Sequence, residues 1–426
     1  MKKALLHICL FAIPFLTFGQ EQLVSMGEGY GNQVFYSLST GESVTYPLTT
    51  WDVAFSVDRF DASVFVNEAV NNSRSNPIPE VEAFFTVATD FETADTMDII
   101  ERIFNPEVSW SQGAFNAMLN PEDPFDLGWG AYNPVNNTVS SSKIFFVKLR
   151  SGTYKKFEIM SLAGGEYTVR YANLDNTEEM MHTINKDDFA GKTLAYLSIE
   201  QDSVMDLEPA SWDMTFTRYW TPLEDTPGVD YMVTGIITNT GVQVAQVDDV
   251  EDPETTAFAD YEASLTDSTL YLIGHDWKSF DLGSFSWSIP NKVFFVKAAA
   301  SDSVWKLTFL DFEGSGTGVT ALKRTFAGVI STSTSIGNTF EQVSSYRVYP
   351  NPSTGAFTVD FDLSQNISEA RLDIRNHLGQ SIYQEKINVL SGKNIKSLSV
   401  DLPQGVYYVS LSRGSSSITK PIYILR

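Results

Sequence analysis

The sequence predicts an all-β protein with minor helix: two tandem paralogous β-rich domains followed by a small C-terminal β-sandwich. Two stretches carry the first part. In Trp51-Asp52-Val53-Ala54-Phe55 and in Trp212-Asp213-Met214-Thr215-Phe216, a Trp, an aliphatic residue and a Phe alternate with Asp and a small residue. Successive side chains of a strand point to opposite faces, so each stretch reads as a half-buried strand with its Trp and Phe on one side and its Asp on the other. A third observation is compositional. Aromatic residues make up 13% of the chain, and with plentiful Val and Thr this favours strands over helices.

The surroundings of the two stretches correspond as well. Phe125-Asp126-Leu127-Gly128 and Lys143-Ile144-Phe145-Phe146-Val147-Lys148 follow the first. Phe280-Asp281-Leu282-Gly283 and Lys292-Val293-Phe294-Phe295-Val296-Lys297 follow the second. The paired landmarks stand 161, 155 and 149 residues apart. So small a drift over three ordered landmarks marks a tandem duplication with loop deletions. Two copies of so long a unit make domains rather than a solenoid.

Taken in order, Met1–Gly19 places Lys2 and Lys3 before an apolar run that ends in small residues, the pattern of a secretory signal peptide. Residues 20–181 form copy one and residues 182–330 copy two, with Gln33–Leu38 and Leu194–Ser198 as their entry strands. Helices are expected near Asp95–Phe104, capped by Asp95, and near Pro253–Leu265. Ile144–Val147 and Val293–Val296 are apolar throughout and read as central strands covered on both faces. Tyr154–Ile159 and Val304–Phe312 return from them. Gly314–Gly318 reads as a hairpin turn, since no Lys-Ser/Thr follows to make it a phosphate loop. A Ser/Thr/Gly-rich stretch beginning at Phe326, with residues 331–345 as the linker proper, separates the copies from residues 346–426. There, short strands between glycine-bearing turns suggest a sandwich.

Charge is unevenly distributed. The chain carries a formal net charge of −24, but residues 20–344 hold 18 Lys and Arg against 47 Asp and Glu. So acidic a body repels nucleic acid and anionic lipid surfaces. No apolar stretch beyond the leader is long enough to span a bilayer. Cys9 lies in the leader and is the only cysteine, so the exported chain holds no disulfide.

The last 80 or so residues, about one small domain, carry an ordered set of motifs. These are Tyr349-Pro350-Asn351-Pro352-Ser353-Thr354-Gly355, Leu378-Gly379-Gln380, Leu402-Pro403-Gln404-Gly405-Val406-Tyr407-Tyr408 and, near the end, Lys420. The set resembles a type IX secretion sorting domain. The resemblance implies a Gram-negative host, passage through the periplasm, engagement of the type IX machinery, and release from or attachment to the outer-membrane surface.

The body resembles HmuY-type haem-binding proteins through the Trp-Asp-x-x-Phe strand, the later Phe-Asp-Leu-Gly and the Phe-Phe-Val-Lys hairpin, with Thr238-Asn239-Thr240-Gly241 adding to the likeness in copy two. The resemblance implies a secreted or surface protein that captures haem or another small ligand. In that family paired His, or His with Met, hold the iron, and no local motif fixes such positions here. Beyond the leader the histidines are His182, His275 and His377. His275 and Met232 are the candidate pair in copy two, because imidazole and thioether are the ligands an iron porphyrin takes. Met118 and Met160, in copy one, could also supply sulfur. A surface adhesin or glycan-binding module is the alternative, with Trp110, Trp129, Trp220 and Trp287 as aromatic platforms. No His-Glu-x-x-His, Gly-x-Ser-x-Gly or cysteine nucleophile is present, so no enzymatic activity is expected. Asp52 and Asp213 read as solvated or turn-capping residues rather than catalytic carboxylates.

Overall fold

The computed structural model describes residues 19–107, 109–222, 229–330, 343–351, 353–376, 381–413 and 416–424. The expected signal peptide, save Gly19, and most of the expected linker lie outside these residues. Alternating and fully apolar stretches become strands as expected, all pairing antiparallel within their sheets, and every helical turn among the described residues is three or four residues long. The chain is all-β. It divides into a body, to Ile330, and a C-terminal unit from Ser331.

The body contains each of two kinds of sheet twice. In one four-stranded sheet Val64–Val66, Val53–Ser56, Leu194–Ser198 and Ser203–Met205 lie side by side. Its counterpart sets out Asp230–Thr238, Met214–Pro222, Asn32–Tyr36 and Ser43–Pro47 in the same order. The larger sheets match too. Glu82–Thr86, Phe145–Lys148, Tyr154–Ala163, Glu166–Asn173 and Met180–Asn185 form one series, and Gln243–Val247, Val293–Lys297, Ser303–Phe312, Val319–Val329 and Gln20–Ser25 the other.

The expected division at residue 181 is therefore not a division in space. Phe35 stands in register with Thr215, and Ala195 with Phe55. Gln20–Ser25 zips onto Val319–Arg324. The second lobe takes its first three strands from the N-terminus, and the Trp51 strand pairs with a segment from beyond residue 181. Alternation fixes which face a strand buries but not which strand lies beside it. The two entry strands present equivalent aromatics: Phe35 packs edge-on to Trp212 at 5.1 Å and Tyr196 edge-on to Trp51 at 5.2 Å. These four rings, with Ala54, Phe65, Leu194 and Leu207, form an apolar seam between the lobes. Each lobe keeps its own core, around Phe55, Trp129 and Phe157 in the first and around Phe216, Trp277 and Phe294 in the second.

The central strands are covered on both faces. Phe145 and Val147 enter the main core of the first lobe, while Ile144 and Phe146 enter a smaller cluster behind it. Neither expected helix forms. Asp95 does cap a turn, accepting from the Met97 amide at 3.1 Å, but the turn is Thr96–Asp98 only and runs into the strand Ile99–Ile103. Met97 and Ile100 are exposed, so the apolar spacing that suggested a helix buries little but Ile103. Pro253–Leu265 holds two turns, Phe258–Asp260 and Glu262–Ser264. Phe326 belongs to the strand Val319–Val329, where its ring meets Trp305 edge-on at 5.6 Å, so the spacer begins later than composition suggested. Val343–Ser345 likewise open a strand.

In the C-terminal unit, a three-stranded sheet (Val343–Tyr349, Ala356–Leu363, Gly392–Ser399) and a four-stranded one (Ser381–Val389, Ile367–Asn376, Gly405–Arg413, Ser416–Ile424) enclose a core around Phe361, Leu372 and Val409. This is the expected sandwich. Gly355, at φ +105°, turns the chain where a Cβ would lie 2.5 Å from the Val400 carbonyl oxygen.

Candidate functional site

A groove on the second lobe gathers the side chains from which a site can be built. Its volume is about 480 Å³, within the usual range for ligand pockets. One wall is the strand Asp230–Thr238, which contributes Tyr231, Met232 and Thr234. The segment His275–Phe280 forms the opposite side, and Tyr30, from the N-terminal segment, joins them. The lip is an aromatic hairpin, Ser279–Asp281 paired with Ser286–Ser288. Phe280 and Trp287 sit 5.0 Å apart across it and stay 41% and 36% exposed. Trp287 is seated by Gly314, where a Cβ would come 2.8 Å from the indole nitrogen.

The sequence candidates His275 and Met232 both line this groove. Met232 stands in register with Trp220. The His275 Nε2 lies 2.8 Å from the Tyr231 hydroxyl. A second polar groove of about 500 Å³ lies on the other side of Tyr231, His275 and Asp276, and includes Glu107, Thr221 and Tyr271. His182 is elsewhere, in the first lobe, where it and Tyr171 share the Asp202 carboxylate. Met118 packs against the first core and Met160 lies in the strand Tyr154–Ala163. No cluster of metal-ligating side chains occurs among the described residues.

Sequence reasoning did not single out the two cations of the groove, Arg218 and Lys278, each 7% exposed. The Lys278 ammonium stands 4.4 Å from the Trp277 ring centroid, 5.0 Å from Phe312 and 5.8 Å from Trp287. It donates to the Thr234 carbonyl and, at 3.4 Å, to that of His275. Burial pushes it down to about 7, against the field of Asp276. Arg218 lies 5.5 Å over Tyr30, which stacks on Phe312 at 6.0 Å, and donates to the Val70 carbonyl at 3.3 Å. Burial lowers it to about 10. A Trp-Lys pair three residues before Phe-Asp-Leu-Gly was the available signal, since the aligned copy-one motif puts Asp123 where Lys278 stands.

Of the expected sugar platforms, Trp287 alone is both exposed and in the groove. Trp129 is fully buried. Trp110 donates to the Thr238 carbonyl at 2.9 Å and Trp220 to Glu80 at 2.6 Å, and both are partly buried. Asp52 and Asp213 cap turns but are buried, not solvated. Asp52 accepts from the Ile199 and Glu200 amides at 2.7 and 3.1 Å, and Asp213 from those of Leu38 and Ala299 at 2.7 and 2.8 Å.

In the C-terminal unit, Asn351 clamps the last strand, donating to Pro421 O at 3.1 Å and accepting from the Tyr423 amide at 2.8 Å. Tyr349-Pro350 is a cis bond. The Tyr407 hydroxyl donates to Pro403 O at 3.0 Å. Gly405 takes φ +155°, and Lys420 is exposed opposite Val409. Pro352, His377 and Gly379 lie outside the described residues.

Residues 347–425 match the family described as a secretion system C-terminal sorting domain. An ulvan lyase, NLR42 of Nonlabens ulvanivorans, is 31% identical over 86 residues, which span 20% of this chain and 15% of that protein. Among solved structures, the dimeric latent PorU of Porphyromonas gingivalis shares 9% identity, over 68% of this chain and 26% of that one, with a TM-score of 0.17. Immunoglobulin domains 1–5 of Sidekick-1 share 8% over 88% and 76%, with a TM-score of 0.12. Likenesses at these scores carry no argument.

Proposed function

From a chain that bears a type IX sorting domain, and so passes through the periplasm to the cell surface or the medium, we propose that the body is a glycan-binding module and that the groove beneath the Ser279–Ser288 hairpin is its site. One observation carries this. Phe280 and Trp287 hold exposed rings over a groove that also presents the polar groups Tyr231, Thr234 and Asp276. Rings pack on the apolar face of a sugar while nearby donors and acceptors take its hydroxyls. The reading is of binding without turnover. Glycan-array binding by the full exported chain, followed by titration of the best hit, tests it. W287A should weaken that hit by at least about tenfold, the effect of removing a buried-edge aromatic anchor. An unchanged affinity would sink the assignment, and shortened or unsaturated sugar products would replace binding by catalysis.

Haem capture is the second reading, favoured by His275 and Met232 sharing the groove and by the HmuY-type resemblance of the body. His275 would have to release the Tyr231 hydroxyl to offer its Nε2 to iron. A saturable Soret shift with haemin, lost in H275A and M232A, supports this reading. An unchanged spectrum removes it.

A further inference from the structure

Buried cations are costly unless an opposite charge lies against them. Arg218 and Lys278 are both more than nine-tenths buried in the groove, and neither makes an ion pair among the described residues. The carboxylates whose fields reach them are committed elsewhere. Glu80 is bridged to Arg102 at 2.8 Å, and Asp276 is bridged to Lys292. Moreover, the Arg218 Nε is buried with no hydrogen-bond partner, a donor left unsatisfied at a cost. Both cations are threaded on one aromatic ladder, Arg218 over Tyr30, Tyr30 on Phe312, and Lys278 over Phe312 and Trp287. The ladder ends at the exposed lip.

We infer that the groove takes an acidic glycan, its carboxylate or sulfate supplying the missing counter-charge to Arg218 and Lys278 while Trp287 packs on the sugar ring. The inference rests on the glycan reading above. A strongly acidic body makes this local reversal of sign selective: a polyanion is held at the groove and repelled elsewhere, so long polymers bind through single sites. The first lobe has Asp123 in place of Lys278, and so lacks this feature.

Matched pairs of probes separate charge from sugar shape. One pair is oligogalacturonate and its full methyl ester; the other is a sulfated galactan and the same polymer desulfated. The full exported chain should bind the charged member of one pair at least about tenfold tighter, with affinity falling as salt rises. Which pair responds distinguishes carboxylate from sulfate. K278M, which keeps an apolar stem beneath the rings, and R218Q should each shrink the charged-to-neutral ratio severalfold, with near-ultraviolet dichroism confirming that the rings remain packed. Equal affinity for charged and neutral members would overturn the inference and leave the glycan reading standing. Failure of all four probes, and of every acidic glycan on the array, would overturn the inference, and failure of the neutral glycans as well would overturn both.

Discussion

Lys278 and Glu68 make the body's stability depend on pH in opposite senses. Lys278 is lowered to about 7 from 10.5, chiefly by burial. Between those values the unfolded chain holds a proton that the folded chain lacks, so stability rises with pH there. Glu68, whose carboxylate accepts from the Asn105 amide at 2.8 Å, is raised by burial to about 8 from 4.5. Across that window the folded chain holds the extra proton, and stability falls as pH rises. Urea midpoints should therefore pass through a minimum near neutrality. E68Q should flatten the acid side and K278M the alkaline side. Slopes that survive both substitutions would show that other groups set them.

At the scale of elements, the interleaved strands make a sharper prediction than the duplication did. A chain beginning at residue 50 loses Gln20–Ser25 from one sheet and Asn32–Tyr36 from the middle of another. It also uncovers Trp212, which Phe35 covers. Its second lobe should lose native near-ultraviolet dichroism while the first keeps its own, and adding residues 20–47 as a peptide should restore the signal. A second lobe that folds without that segment would contradict the pairing. Most strands were legible from one cue, such as the unbroken apolar run at Val293–Val296. At Trp51–Phe55 and Trp212–Phe216 alternation located the strand but not its faces: both sides are buried, and each Trp packs in the seam while Phe55 and Phe216 enter the lobe cores. Strand partners were not legible, since Phe35 and Tyr196 suit either Trp. The misread helix at Asp95–Phe104 had a true cap but only one turn behind it. Within the groove, His275 and Met232 could be picked by chemistry. Arg218, Lys278 and Tyr30 come together only through a fold that joins the N-terminus to the second lobe.

For the molecule as a whole, the C-terminal unit has its own core of Phe361, Leu372 and Val409, and the body's strands end at Val329. Removing residues 346–426 should leave the body's melting transition in place and strand the protein in the periplasm. Fractionation of cells carrying the truncated gene checks this, and normal appearance outside the cell would refute it.

The pairing of Gln20–Ser25 with Val319–Arg324 also sets an order of assembly. All the strands of the first lobe lie between Val53 and Met205, so that lobe can close while the rest of the chain is still arriving. The second lobe cannot, because its opening and closing strands are the first and last segments of the body to emerge. Contacts so distant in sequence are slow to find by chain diffusion. A first lobe already closed brings the two Trp-bearing segments together at the seam and shortens the loop that remains, which lowers the entropy of closing it. Until then Val34, Phe35 and Tyr36, all buried at the end, wait in the periplasm as an unpaired apolar strand. For that interval the leading segment is a natural client for a holding chaperone.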